Sequence, residues 1–157
     1  MKAYRKTLFL AAVLLCLCLI SSALAKTVSS AVGGFSLTLP EGFEEQSVSG
    51  SGDPDLCLHW KKGHFSVQAY ASYLGEVAGS DLFQVLTGSE TDSGMVTYGG
   101  MSMLYASGAD STGAYMMYSW MDRGNNVTLY FYFPEGDKDA ASTVESIMRS
   151  ITFDAGH

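Results

Sequence analysis

Residues Gly113 to Phe133 read GAYMMYSWMDRGNNVTLYFYF. Two runs of aromatic, β-branched and Met residues flank a polar pentad, Asp122-Arg123-Gly124-Asn125-Asn126. Gly and Asn tolerate the positive φ of a tight reversal, so the pattern predicts a β-hairpin. In the second run Val127, Leu129, Phe131 and Phe133 share one face, and Thr128, Tyr130 and Tyr132 the other. In the first run Met116, Tyr118 and Trp120 are expected inward, and Tyr115 and Met117 outward. A hairpin alone is marginal in water, so this one needs further strands beside it and a cover over its apolar face.

On the C-terminal side Pro134-Glu135-Gly136 ends the strand. Asp137 is the expected N-cap of a helix over about residues 138–150, with Ala140, Ala141, Val144, Ile147 and Met148 on one stripe. Ile151-Thr152-Phe153 is a last extended piece. On the N-terminal side Ser107 to Gly113 reads as a loop. Met101–Ala106 and Met95–Tyr98 read as short strands around Gly99-Gly100, and Ser89 to Gly94 as a polar connection. Ser80-Asp81 caps a short central helix that carries Leu82, Val85 and Leu86 and stops at Gly88. Leu56–Lys61 and His64–Leu74 form a second hairpin about Lys62-Gly63. Leu56, Leu58 and Trp60 face inward there, and Phe65, Val67, Ala69, Ala71 and Tyr73 share a face. Glu44 to Asp55 is a Gly/Ser loop. Phe35–Leu39 alternates cleanly as a first strand and is ended by Pro40-Glu41-Gly42-Phe43.

The chain has 157 residues and a formal net charge of −7. Its first 25 residues combine basic Lys2, Arg5 and Lys6, an apolar run from Leu8 to Ile20, and small residues before a cut after Ala25. That is the pattern of a secretory signal peptide. The run is about 13 residues, short of the roughly 20 that span a bilayer. Cys16 and Cys18 each follow a Leu, where lipidation needs a small residue. We therefore expect a signal peptide over 1–25, an N-terminal arm over 26–34 and one domain over 35–157, secreted or held in the cell envelope. Removal of the leader takes away three bases and no acid, so the remainder is more acidic still. Such a chain lacks the basic footprint that binds nucleic acid or anionic lipid. Cys57 is then the sole cysteine, which leaves no internal disulfide.

The opening FSLTLPEGF and the closing VESIMRSITF together resemble the start and finish of domains in the PsbP/Mog1/DcrB-like group. The resemblance spans about residues 35–153. It implies an α+β fold: a mostly antiparallel β-sheet packed by a short central helix and a C-terminal helix, in a Mog1/PsbP-like α/β/α sandwich. The group includes photosystem accessory subunits, a nuclear transport factor and bacterial envelope proteins. Its motifs here describe a strand, a turn and a helix, so no functional residue carries over.

Catalytic patterns are weak. Asp92-Ser93-Gly94 matches the aspartyl protease triplet, but polar Ser89-Glu90-Thr91 precedes it where an apolar strand is needed, and a loop is the better reading. Asp53-Pro54-Asp55 with Glu44 and Glu45 lacks the ligand spacing of a Ca²⁺ loop. Cys57 and His59, with Met101 and Met103 or Met116 and Met121, offer soft donors, yet two in-line ligands do not specify a metal site. Cys57 with His59 or His64 as a dyad sits mid-strand, away from the helix N-terminus that favours a thiolate. No G-x-S-x-G elbow occurs. Asn126-Val127-Thr128 is a glycosylation sequon or simply a turn entering a strand. Neither a cofactor nor a metal is expected, and the chain reads as non-enzymatic. The expected binding surface is the outward aromatic face, Tyr115, Tyr130 and Tyr132, unless helices cover it. The partner is then a protein or envelope component; the alternative is a carrier with a small apolar molecule or lipid between sheet and helices.

Overall fold

The computed structural model describes residues 25–75, 86, 88 and 90–154. Its strands are β1 (Lys26–Ser30), β2 (Phe35–Leu39), β3 (Glu44–Glu45), β4 (Leu56–Lys62), β5 (Phe65–Tyr73), β6 (Glu90–Tyr98), β7 (Met101–Asp110), β8 (Gly113–Asp122), β9 (Asn125–Phe133) and β10 (Thr152–Phe153). The described helix, α1, is Ala140–Arg149. The expected hairpin is β8 and β9, in register from Ala114 opposite Phe133 to Asp122 opposite Asn125. Its turn is Arg123-Gly124, with φ of 48° and 81°. Two consecutive positive φ values match the right-handed twist of the strands they join.

The hairpin lies within a seven-stranded antiparallel sheet of order β3-β4-β5-β9-β8-β7-β6. Alternation sorts its side chains as the residue types require. Val67, Ala69, Val127, Leu129, Phe131, Tyr118, Trp120 and Met103 are buried in one cluster on the inner face.

The cover on that face corrects the expected fold class. Helix alone does not cover it. A second, three-stranded antiparallel sheet of order β1-β2-β10 packs there beside α1. Val28, Phe35, Leu37 and Leu39 come from this small sheet, and Ala140, Val144, Ile147 and Met148 from the helix. The fold is thus mostly sheet on sheet with one described helix, and is not a helix-rich sandwich. A period-2 pattern shows that Phe35–Leu39 is a strand but not which sheet it joins. Its partners are hard to read: β1 buries only Val28 and Ser30, and β10 is two residues long. The expected central helix and the leader fall outside the described residues, save Ala25, Leu86 and Gly88.

Two smaller readings also change. Residues 90–94, expected as a polar connection, begin β6, whose side chains are mostly exposed because it is the last strand of the sheet. The expected loop from Ser107 is shorter, since β7 runs on to Asp110. The helix N-cap is Asp139, and the Asp137 carboxylate accepts the Asp139 N–H in the turn before it.

Specific bonds join the layers. Trp120 receives the rings of Phe35 and Phe153 edge-on at 5.4 and 5.5 Å. The Thr38 N–H donates to Ser150 Oγ at 2.8 Å, which ties β2 to the end of α1. Lys26 Nζ lies 4.2 Å over the Trp60 ring and ties β1 to β4. Gly33 has φ of 84°, and a Cβ there would come within 2.9 Å of Val127. The β1–β2 turn therefore presses against the large sheet with no room for a side chain.

Phe35→Ala removes a 1 % exposed ring from the joint between the sheets. We expect it to lower unfolding free energy by about 3–5 kcal/mol in urea titration. Thr97→Ala on the exposed edge should change it by about 0.5 kcal/mol or less.

Candidate functional site

The outer face of the large sheet has two halves. Toward β7 and β8 it is closed: Leu104, Ala106, Tyr115 and Met117 are buried, with Leu86 and Met121 packed against them. Ser119 and Thr128 are buried beside this patch, with Asn126. The Ser119 hydroxyl donates to Asn126 Oδ1 at 2.7 Å and lies 3.0 Å from Thr128 Oγ1. A hydroxyl at this point satisfies both neighbours, which explains a polar ladder in a buried place. The sequon Asn126 is 8 % exposed and committed to this ladder, so the turn-into-strand reading describes it.

Toward β5 and β9 the face is half-buried and aromatic. Tyr130 and Tyr132 stack at 5.5 Å with an interplanar angle of 11°. Tyr115 lies against both at 6.2 Å, and Tyr70 meets Tyr130 edge-on at 5.7 Å. The three tyrosines expected from the sequence therefore stand together. Tyr115 is buried as their base, while Tyr130 and Tyr132 remain partly open.

Alternation on β5 adds what the sequence reading missed. Opposite the inward Val67 and Ala69, residues Ser66, Gln68 and Tyr70 face outward. The Tyr70 hydroxyl donates to Gln68 Oε1 at 2.7 Å. Gln68 Nε2 lies 3.4 Å from His59 Nε2, which lies 3.2 Å from Ser66 Oγ. The signal was present in SVQAY as polar residues at every second position, but it read only as a solvated face. Beside this network is a solvent-open groove of about 650 Å³, bordered by His64, Gln68, Tyr132 and Pro134, with Lys61 and Asp110 supplying opposite charges. Hydrogen bonds from the Thr112 side chain and backbone hold the Asp110 carboxyl below its ordinary pKa.

Other sequence candidates are not brought together. Cys57 and His59 are on β4, whereas Met103 is buried in the core on β7. Burial, then the Asp55 charge, pushes the Cys57 thiol up, which disfavours a thiolate. Asp53 accepts the Asp55 N–H, and Asp55 accepts the Ser72 hydroxyl, so this loop uses its carboxylates locally. Asp92 stands on exposed β6. Among the described residues no three His, Cys, Asp or Glu side chains converge on one point. Between the sheets, a cavity of about 10 Å³ lies among Leu37, Trp60, Val67 and Leu129. That is room for about one water.

Burial raises Tyr70, Tyr130 and Tyr132, each helped by nearby charge. On the inner face burial raises Tyr118, and burial with the Glu145 hydrogen bond lifts Tyr98 to about 12. These phenols hold their protons to higher pH when folded than when unfolded. The stability they contribute is complete below pH about 10, the ordinary tyrosine value, and is lost above it as the unfolded chain ionises first. Denaturant titrations from pH about 9 to about 11 should show falling stability, with tyrosinate absorbance rising mainly on unfolding. Separately, Ser119→Ala removes the donor of the buried ladder and should cost about 1–3 kcal/mol in the same assay at neutral pH.

No protein-family model matches the chain, and no curated protein matches it. Solved structures do. The solution structure of cyanobacterial PsbP (CyanoP) from Synechocystis sp. PCC 6803 aligns at a TM-score of 0.62 and 12 % identity, over 84 % of this chain and 94 % of that one. A crystal structure from Bacteroides thetaiotaomicron VPI-5482 aligns at 0.56 and 13 %, over 84 % of this chain and 49 % of that one. The chain therefore has a PsbP-like fold. At this identity the likeness concerns fold alone.

Proposed function

We propose that this chain is an exported, non-enzymatic binding domain that engages a protein partner at the cell envelope through the outer face of its large sheet. The observation that carries the reading is the stacked Tyr130–Tyr132 pair beside an open groove bordered by His64, Gln68 and Asp110. Tyrosines give large contact area with little side-chain entropy to lose, and the neighbouring polar groups add directional bonds. Tyr115 supports the pair from beneath, and Tyr70 braces Tyr130 from the side. Both signs of charge at the groove suit a protein surface better than a lipid tail. The carrier reading finds less support, because ligand pockets run to about 300–1,000 Å³, whereas the open hollow between sheet and helix is about 240 Å³ and the cavity between the sheets about 10 Å³.

A photo-crosslinking residue in place of Tyr132, introduced in the native host, should yield an adduct of one discrete mass. The same probe in place of Tyr73, which is 77 % exposed at the end of β5, should yield none. With the partner in hand, Gln68→Ala should weaken binding by about tenfold while leaving the melting temperature unchanged. Equal labelling from both positions, or none from Tyr132, overturns the proposal.

A further inference from the structure

The two ends of the seven-stranded sheet are finished differently. At one end β3 is only two residues long and pairs with Lys61 and Trp60 of β4. At the other end β6, Glu90–Tyr98, pairs among the described strands only with β7. Every second residue of such a strand turns its N–H and C=O away from the sheet. Edges are usually blunted by lysine, by proline or by being very short. β6 contains neither lysine nor proline, is nine residues long, and exposes its side chains from Thr91 to Met95. A bulge interrupts its pairing between Glu90 and Asp92, and pairing is regular from Asp92 to Tyr98.

We propose that β6 is a homodimerisation edge: a second copy of this chain adds its own β6 antiparallel across a two-fold axis at Gly94. The placement of charge admits a second copy and sets its sense as antiparallel. Both acidic residues of the strand, Glu90 and Asp92, precede Gly94, and none follows it. Two-fold pairing sets Glu90 of one copy opposite Tyr98 of the other, and Asp92 opposite Val96. A parallel, in-register arrangement would stack carboxylate on carboxylate, which is unfavourable. At the axis Gly94 has no side chain, and a Cβ there would meet nothing within 4 Å.

Both faces of the seam gain. On the outer face Met95, 55 % exposed, acquires Ser93 of the other copy as its cross-strand neighbour and Met95 of the other copy on the diagonal. On the inner face a hollow of about 240 Å³ is lined by Val96 and Tyr98 of β6 with Met116 and Glu145. It adjoins the seam and is narrowed by the second copy. The interface is self-complementary, so it closes at two copies and does not propagate. The negative charge of the chain opposes association, so salt should strengthen it.

Sedimentation velocity on the purified protein tests this. We expect a reversible dimer that tightens as salt is raised. Met95→Lys should raise its Kd about tenfold or more with the circular dichroism unchanged, as edge lysines do. A covalent trap checks the register. Antiparallel partners stand about 4.5–5.5 Å apart at Cα, within disulfide reach. Gly94→Cys in a Cys57→Ser background should therefore oxidise to a dimer, and Glu135→Cys, in an exposed turn, should not. A monomer in every condition overturns the proposal. So does a dimer that survives Met95→Lys and is not trapped by Gly94→Cys. A Gly94→Cys chain that traps a different protein also overturns it and gives the edge to a foreign strand. None of these outcomes depends on the tyrosine groove.

Discussion

The rings of Phe35 and Phe153 close on Trp120 from the small sheet, and that contact organises the molecule. The large sheet presents an apolar inner face from Trp60 on β4 to Tyr98 on β6. Left wet, such a face forgoes about 25 cal/mol for each Å² of apolar surface. The chain covers it with segments from its two ends: β1 and β2 come from the start, α1 and β10 from the finish. β10 pairs with β2, so the third strand of the small sheet is added only when segments from both ends of the described chain meet. Covering the hairpin is thus a long-range event, and the Trp120 contact is where the two ends meet.

Closing one face by sheet and helix leaves the other face to other uses. Its β7–β8 half is sealed by methionine, leucine and the Ser119 ladder. Its β5–β9 half carries stacked tyrosines and a chain of amide, imidazole and hydroxyl contacts beside open groove. The division follows from the pleat. Each strand that contributes an inward Val, Leu or Phe must send its alternate residues outward, and on β5 and β9 those are Ser66, Gln68, Tyr70, Tyr130 and Tyr132. Rigid strands hold these side chains in place, which suits recognition better than a mobile loop.

Part of this site was legible beforehand. That Tyr115, Tyr130 and Tyr132 share one face follows from alternation around the hairpin. Whether they were bare was not legible, because cover comes from elsewhere in the chain. His59, Gln68 and Tyr70 went unread as a group. Their contacts run across strands, from position 59 to 66 and 68, and depend on the β4–β5 register. That register is set by a bulge between Leu56 and Leu58 as well as by the turn at Gly63. A polar residue at every second position predicts a wet face and nothing more specific.

Local chemistry in the sequence determined the elements. It placed the β8–β9 hairpin with Gly124 in its turn, the Leu58–Trp60 and Val67–Ala69 faces, the Phe35–Leu39 strand and the amphipathic helix stripe. Each of these is a matter of period, turn residue or cap within about ten neighbours. Tertiary structure alone decided that Phe35–Leu39 joins a second sheet, that residues 90–94 continue a strand, and that β6 is the last described strand of the large sheet. Strand partnership joins residues far apart in the chain, and the pattern within one strand is the same whichever neighbour it takes.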